Sequence, residues 1–217
     1  MNKYRIAIDG GAATGKSTVS KLVSDLLGIR YINTGQMYRL FGFIAKQKNL
    51  LKNESAIVNE IKDLTLTYDN NGNIICEEVE FTLEDITTLE SGINASKVSK
   101  MPLVREVATK KQQKIGKEYG VLLEGRDIGT IIMPDAPFKF FLTVSLEAAA
   151  ERRYHDFKET EKGITKEAIM QQLIERNERD FNRDLAPLVA AEDAVVIDTS
   201  NITQDEVAKK IVEVING

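Results

Sequence analysis

The sequence is poor in the residues that build disulfides and metal cages. It holds one cysteine, Cys76, and one histidine, His155. A lone cysteine forms no internal disulfide, and one residue of each kind cannot supply a Cys/His zinc site. A reducing compartment fits, and the cytoplasm is expected. Long hydrophobic runs are also missing: the most apolar stretches, 140–144 and 194–197, are strand-length, and no 18 apolar residues run without charge. That excludes reading any of them as a membrane span, and the apolar run before Asp9 is too short for a signal-peptide core. Charge of one sign is scarce too. With 29 basic and 33 acidic side chains the formal net charge is −4, which offers no bulk attraction for nucleic acid or an anionic membrane, so neither is expected as a partner.

What is present is an ordinary globular balance, 42% apolar and 29% charged in 217 residues, enough to bury a core without cross-links. The length corresponds to about 1.4 average domains, either one α/β body with an insertion or two small units. Strand-like runs at 4–9, 30–33, 121–124, 139–145 and 194–198 alternate with helix-period segments at 16–27, 35–48, 102–117, 146–157, 166–182 and 203–215. This alternation predicts a parallel sheet covered on both faces with right-handed crossovers. Thr203 with Glu206 forms a capping box for the last helix. One stretch breaks the pattern: 64–68 and 74–81 read as a hairpin around Asn70-Asn71-Gly72-Asn73, an inserted lobe. Residues 158–166 read as an exposed loop, and His155 as surface beside it.

Directly after the first strand stands Gly10-Gly11-Ala12-Ala13-Thr14-Gly15-Lys16-Ser17, a complete G-x-x-x-x-G-K-[ST] match. A chain of this composition yields only about 0.01 accidental matches. The glycines let backbone N–H groups curl around phosphate oxygens, and the following helix, entered through Ser17 and Thr18, adds its positive end. Lys16 is expected to reach the β and γ phosphates and Ser17 to ligate Mg²⁺. The donor is therefore a nucleoside triphosphate. Asp9 either orients this loop or the metal's waters, or is an ordinary strand-end carboxylate.

Three further clusters bear on the acceptor. Thr34-Gly35-Gln36-Met37-Tyr38-Arg39 places Thr34 near a helix N-cap with Tyr38 and Arg39 a turn in; this is an anion site, or a cap with a half-buried tyrosine and a surface arginine. Arg126 and Asp127, between glycines at the C-terminal end of the third strand, lie where parallel sheets bind ligands, or form a pair that braces the turn. On helix 166–182, Arg176, Arg179, Asp180 and Arg183 share one face, with Met170, Ile174 and Phe181 expected opposite. Five of the ten arginines (Arg152, Arg153, Arg176, Arg179, Arg183) flank the loop at 158–166. Such density suits two phosphorylated ligands in one cleft, and a solvated face with an internal ion pair is the alternative.

Taken together, IAIDGGAATGKST, INTGQMYR, SKVSKMPLVREV, LLEGRDIGT with MPDAPFKFFLTVS, ERR, ERNERDFNRDLAPL and AEDAVVIDTS resemble the bacterial-type cytidylate kinases, within the P-loop nucleoside monophosphate kinases, over nearly the whole chain. The resemblance implies one kinase domain: a five-stranded P-loop core (about 1–50, 101–150 and 183–217), an inserted monophosphate-binding lobe (about 51–100) with a small antiparallel sheet, and a lid (about 151–182). It implies that residues 10–18 bind ATP with Mg²⁺, and that Ser96, Arg105 and Asp127 read the cytosine ring. Arg39, Arg126 and Arg183 would hold the monophosphate, with Tyr38 and Thr34 beside it, and Arg176 with Asp180 would meet the ribose. Arg152 and Arg153, from the lid, would join Lys16, Arg126 and Arg179 in neutralising the transferring group. Two departures stand out: Gly11 where the family often has proline, which predicts a less rigid loop, and Asp85-Ile86-Thr87-Thr88 where an arginine is expected at Thr87. The implied reaction is ATP + CMP to ADP + CDP, with dCMP also accepted, by a monomer. A P-loop kinase for UMP, AMP or a metabolite alcohol is the nearest rival. A guanine-reading switch would need an N-K-x-D element, which the chain lacks.

Overall fold

The computed structural model describes residues 4–158, 164–183 and 185–217. Five parallel strands form the central sheet, in the order β2 (Arg30–Asn33), β5 (Val121–Gly125), β1 (Arg5–Gly10), β6 (Phe138–Thr143) and β7 (Val195–Asp198). As expected for a sheet covered on both faces, β1 is apolar on both sides. Ile6 and Ile8 face α1 (Lys16–Leu27) and α9 (Gln204–Asn216), with Val19, Val23, Phe140 and Ile211. Ala7 faces the other way, with Ile32, Leu123, Ile128 and Met133. Each fully buried isoleucine contributes about 1.5–3 kcal/mol.

Between β2 and β5 the chain builds a second core. Met37 and Phe41 of α2 (Thr34–Gln47) pack with Ile57 and Ile61 of α3 (Glu54–Ile61), Ile86 of α4 (Leu83–Thr87), Val98 of α5 (Leu89–Val98), and Val104 and Ala108 of α6 (Pro102–Gly116). The expected hairpin is there but much shorter: β3 is Thr67–Tyr68 and β4 is Ile74–Ile75. The Asp69 carboxylate accepts from the N–H groups of Asn71 and Asn73, both at 2.8 Å, tightening the turn. Beyond β4 the Glu78 side chain, not a backbone carbonyl, accepts from Thr65 N–H at 2.9 Å, so the ladder stops. Residues 76–81, expected as strand, form a turn without regular structure, and helices resume at Leu83. The caps of the insert's helices stand in plain view in the sequence: Asn53, the Thr82/Asp85 capping box, and Thr88 accepting from Ser91 N–H.

After β6, Ser145 caps α7 (Leu146–Phe157), which ends the strand earlier than expected. Helix α7 pairs with α8 (Lys166–Phe181), burying Ala149, Ala150, Ile169 and Leu173 against Ala12. Ile169 and Leu173 precede Arg176 by seven and three residues and so share its face of α8, the face packed on α7; on the opposite side, expected to be apolar, Met170 and Ile174 are only half-buried and Phe181 is 51% exposed. His155 is exposed but lies in the last turn of α7, where its Nε2 is 3.0 Å from Glu151. Residues 159–163, the centre of the expected exposed loop, lie outside the described residues. Among the described residues no helix is long and apolar enough to cross a membrane.

Candidate active site

The sheet order sets the site. Strand β1 lies between β5 and β6, so the loop that follows it opens beside the C-terminal ends of both. Gly10 has no room for a side chain, since a Cβ there would lie 2.3 Å from Leu142 O. The loop then turns through Ala13 (φ 58°) and Gly15 (φ 81°) into α1, which turns successive amides inward. Lys16 Nζ donates to Gly11 O at 2.7 Å and approaches Thr14 Oγ1 at 3.3 Å, lying across the mouth of the loop. Burial and then Arg126 hold its pKa well below the usual lysine range, against the pull of Glu124.

Other elements brace the loop from outside. Ala12 N–H donates to Asn177 Oδ1 on α8 at 3.3 Å, and Thr199 Oγ1 donates to Thr14 O at 3.2 Å. Arg152 donates to Ala13 O at 3.4 Å and to Thr199 Oγ1 at 3.1 Å. Arg152 is thus a strut between loop and sheet edge in this structure, whereas Arg153 lies close enough to Arg39 and Arg176 to lower their pKa values.

Glu124, a motif residue with no role assigned from sequence, proves central. It is 4% exposed at the end of β5; Ser17 Oγ donates to its Oε1 at 2.7 Å, and Tyr31 OH to the same atom at 3.0 Å. Its Oε2 is buried without a partner. Burial raises its pKa, opposed by Lys16. An orphaned carboxylate oxygen beside a P-loop hydroxyl fits a hard divalent cation. Mg²⁺ is commonly held by one or two protein oxygens with the remainder from phosphates and water. The residues present therefore suit Mg²⁺, with Glu124 added to Ser17.

Beyond the loop, Arg126 and Asp180 form an ion pair at 3.2 Å, and Arg183 contacts the same carboxylate. Arg105 and Asp127 make a buried pair at 3.0 Å, with the Arg105 guanidinium 5.4 Å from the centre of the half-buried Tyr38 ring. Burial raises the Asp127 pKa, against Arg105 and Arg183. Arg105 and Arg183 line one side of a cavity of about 820 Å³ together with Lys100, Glu175 and Glu178. Arg176, although exposed at the surface of α8, is strained as well: the protein around it, then Arg126, push its pKa down to about 10, with Arg153 and Arg39 adding repulsion. Lys16, Arg126, Arg176, Arg153 and Arg39 thus form one chain of mutually repelling charges running from the phosphate loop to the insert. Asp180, Glu124 and Asp9 offset part of this repulsion, and an anion bound among these side chains would offset more.

Other expected residues are placed differently. The N-cap of α2 is Asn33, which accepts from Gly35 N–H; Thr34 is the first helical residue, and its Oγ1 donates to Glu124 O at 2.7 Å, so it is buried bracing rather than a cap. Arg39 Nη1 donates to Ile86 O at 2.9 Å and Thr88 O at 3.2 Å, tying α2 to the α4–α5 junction where Thr87 stands in place of arginine. Ser96 is half-buried on α5, Thr18 is exposed on α1, and the Arg179 side chain lies outside the described residues.

The sequence matches the family model described as cytidylate kinase over residues 6–217. The chain belongs to the cytidylate kinase family. It is 43% identical to a cytidylate kinase of Thermosipho melanesiensis, covering 97% of this chain and 96% of that one. Identity is 39% to one of Thermotoga maritima, covering 98% and 96%. Among solved structures, a shikimate kinase from Bacteroides thetaiotaomicron superposes with a TM-score of 0.53 at 12% identity, covering 99% of both chains, a likeness of fold alone. Within the cytidylate kinase framework the chain is an enzyme with a P-loop kinase core, and it carries Gly11 and Thr87 where proline and arginine are expected. A Cβ at Gly11 would sit 3.4 Å from Asn177 Oδ1, so this position is in contact with the α8 brace.

Proposed function

We propose that the chain transfers the γ-phosphoryl group of ATP to CMP, and also to dCMP, giving ADP and CDP or dCDP. The observation that carries the residue assignment is the unbroken line of strained cations from Lys16 through Arg126 to Arg176, between the phosphate loop and the Arg105–Asp127 pair. Donor and acceptor both bring negative charge, and a site that aligns them end to end must offset their repulsion at the junction.

In this reading the amides of residues 10–18 cradle the ATP phosphates and Lys16 swings from Gly11 O onto them. Arg126 and Arg183, held by Asp180, grip the CMP phosphate, while Arg39 and Tyr38 close its far side. Arg105, Asp127 and Ser96 meet the cytosine, and Arg176 with Asp180 the ribose. Arg153 and Arg179 move in as the α7–α8 lid closes and exclude water that would otherwise hydrolyse ATP. Arg152 either follows or stays as the loop's strut. Ser17 and Glu124 would hold Mg²⁺, which when bound neutralises charge on the phosphoryl oxygens. The acceptor oxygen is already anionic near neutral pH, so no general base is assigned. The working divisions are a core (1–50, 101–150, 183–217), a monophosphate lobe (51–100) and a lid (151–182). The chain is read as a working monomer, and a single buried Cys76 suits a reducing compartment such as the cytoplasm.

The test is coupled ADP release across CMP, dCMP, UMP, AMP and a panel of metabolite alcohols. CMP and dCMP are expected to give the highest kcat/KM. An alcohol or AMP outperforming both, or hydrolysis indifferent to acceptor, would refute the assignment.

A further inference from the structure

Asp9 is a buried carboxylate for which neither the donor nor the acceptor reading has a use. It is 4% exposed at the end of β1, one residue before the phosphate loop. Its two oxygens are divided between two successive amides beyond β5: Oδ1 accepts from Ile128 N–H at 2.8 Å and Oδ2 from Gly129 N–H at 2.7 Å. The neighbouring Gly10 O accepts from the Arg126 guanidinium. The sheet ladder does not do this job, because β1 and β5 part company at the Asp9–Gly125 pair. From there Gly125 to Ile132 leaves the sheet and closes into a π-helical turn whose first amides have no partner within the turn.

We propose that Asp9 is a positioning residue, whose carboxylate pins the Arg126–Asp127 segment to the root of the phosphate loop and so sets the distance between donor and acceptor phosphoryl groups. The approach is tight. A Cβ on Gly129 would lie 3.4 Å from Asp9 Oδ2 and 3.3 Å from the Lys139 stem. A carboxylate suits the task because it offers an acceptor to each amide, while an asparagine would turn its NH₂ group against one of them. Desolvating an anion here is costly, as burial and then Asp127 repulsion attest, with Lys16 the cation offsetting it. A strand end with no such task would avoid that cost.

The inference rests on Arg126 gripping the acceptor phosphate, so the experiment separates the two claims. In the full chain, Asp9→Asn is expected to lower kcat about 100-fold while each KM stays within about threefold, since flexible arginines still bind a phosphate displaced by an ångström but in-line attack does not survive it. Arg126→Ala is expected to raise the KM for CMP; if it does not, the reading of Arg126 fails and this inference with it. If Arg126 behaves as expected but Asp9→Asn keeps kcat within about twofold, or shifts only a KM, the positioning role alone is refuted. Should Asp9→Asn not fold, hydrogen exchange in the wild-type protein decides: Ile128 and Gly129 amides protected like the core strands support the clamp, and exchange at exposed-loop rates overturns it.

Discussion

Arg176 offers a test in which stability and activity should move in opposite directions. Its pKa falls to about 10, first through desolvation, then through Arg126, with Arg153 and Arg39 in the same sense and Asp180 opposing. A cation with a depressed folded-state pKa is disfavoured by folding at every pH below that value. The shift corresponds to at most about 3 kcal/mol. Because the guanidinium opens onto a solvated cleft, screening reduces this to about 1 kcal/mol. Arg176→Met keeps an unbranched apolar stem while deleting the charge. The variant is expected to be about 1 kcal/mol more stable in urea, a rise of roughly 2–4 °C in Tm for a chain of this size. Its kcat/KM should fall about 100-fold or more, as for loss of one preorganised charge in a transfer site. The stability gain should shrink as salt is added. A variant that is less stable than wild type at low salt would refute the picture of an anion site assembled against repulsion.

Asp127→Asn leaves Arg105 buried without its counter-ion, 3.0 Å from where the carboxylate was; a loss of about 3 kcal/mol is expected in denaturant, together with blunted preference for CMP over UMP in competition assays. Glu124→Gln should raise the Mg²⁺ concentration needed for half-maximal rate about tenfold, with weaker Mn²⁺ binding to the enzyme–ATP complex by electron spin resonance; unchanged metal affinity would remove Glu124 from the metal site. For Asp9, burial lifts the carboxyl pKa from 3.8 to about 7, so the folded state binds the proton more tightly than the unfolded one. Its contribution to stability is full below the unfolded value and is lost as pH rises towards 7. Wild-type stability relative to Asp9→Asn should therefore decline between pH 4 and 8, and a rising difference would contradict the assigned burial.

The parts of the molecule that are local in the chain are legible in the sequence. The phosphate loop between β1 and α1, the strand–helix alternation and the Thr203/Glu206 box depend on residues within a few positions of one another, where spacing alone dictates hydrogen bonding. Helices α4 and α5 are equally local, and their threonine caps carry the signal; the strand-like residues of 74–81 obscure it. Thr34 is not the cap that its position suggests, because its hydroxyl goes to Glu124 O, 90 residues away, and leaves the cap to Asn33. Distance along the chain also explains Glu124 and Asp9. Nothing near Glu124 in sequence announces Ser17 and Tyr31 as its donors, and nothing near Asp9 announces the amides of Ile128 and Gly129. Both sets of contacts arise because β5 lies between β2 and β1 in a parallel sheet, which carries the ends of strands about ninety or more residues apart to a common edge. Sequence by itself determined the family, the phosphate loop and the residue types at the ends of the strands. Tertiary structure decided which of those charges repel, which are braced and which carboxylate is left with an open oxygen, because these are properties of distance and burial that no single segment possesses.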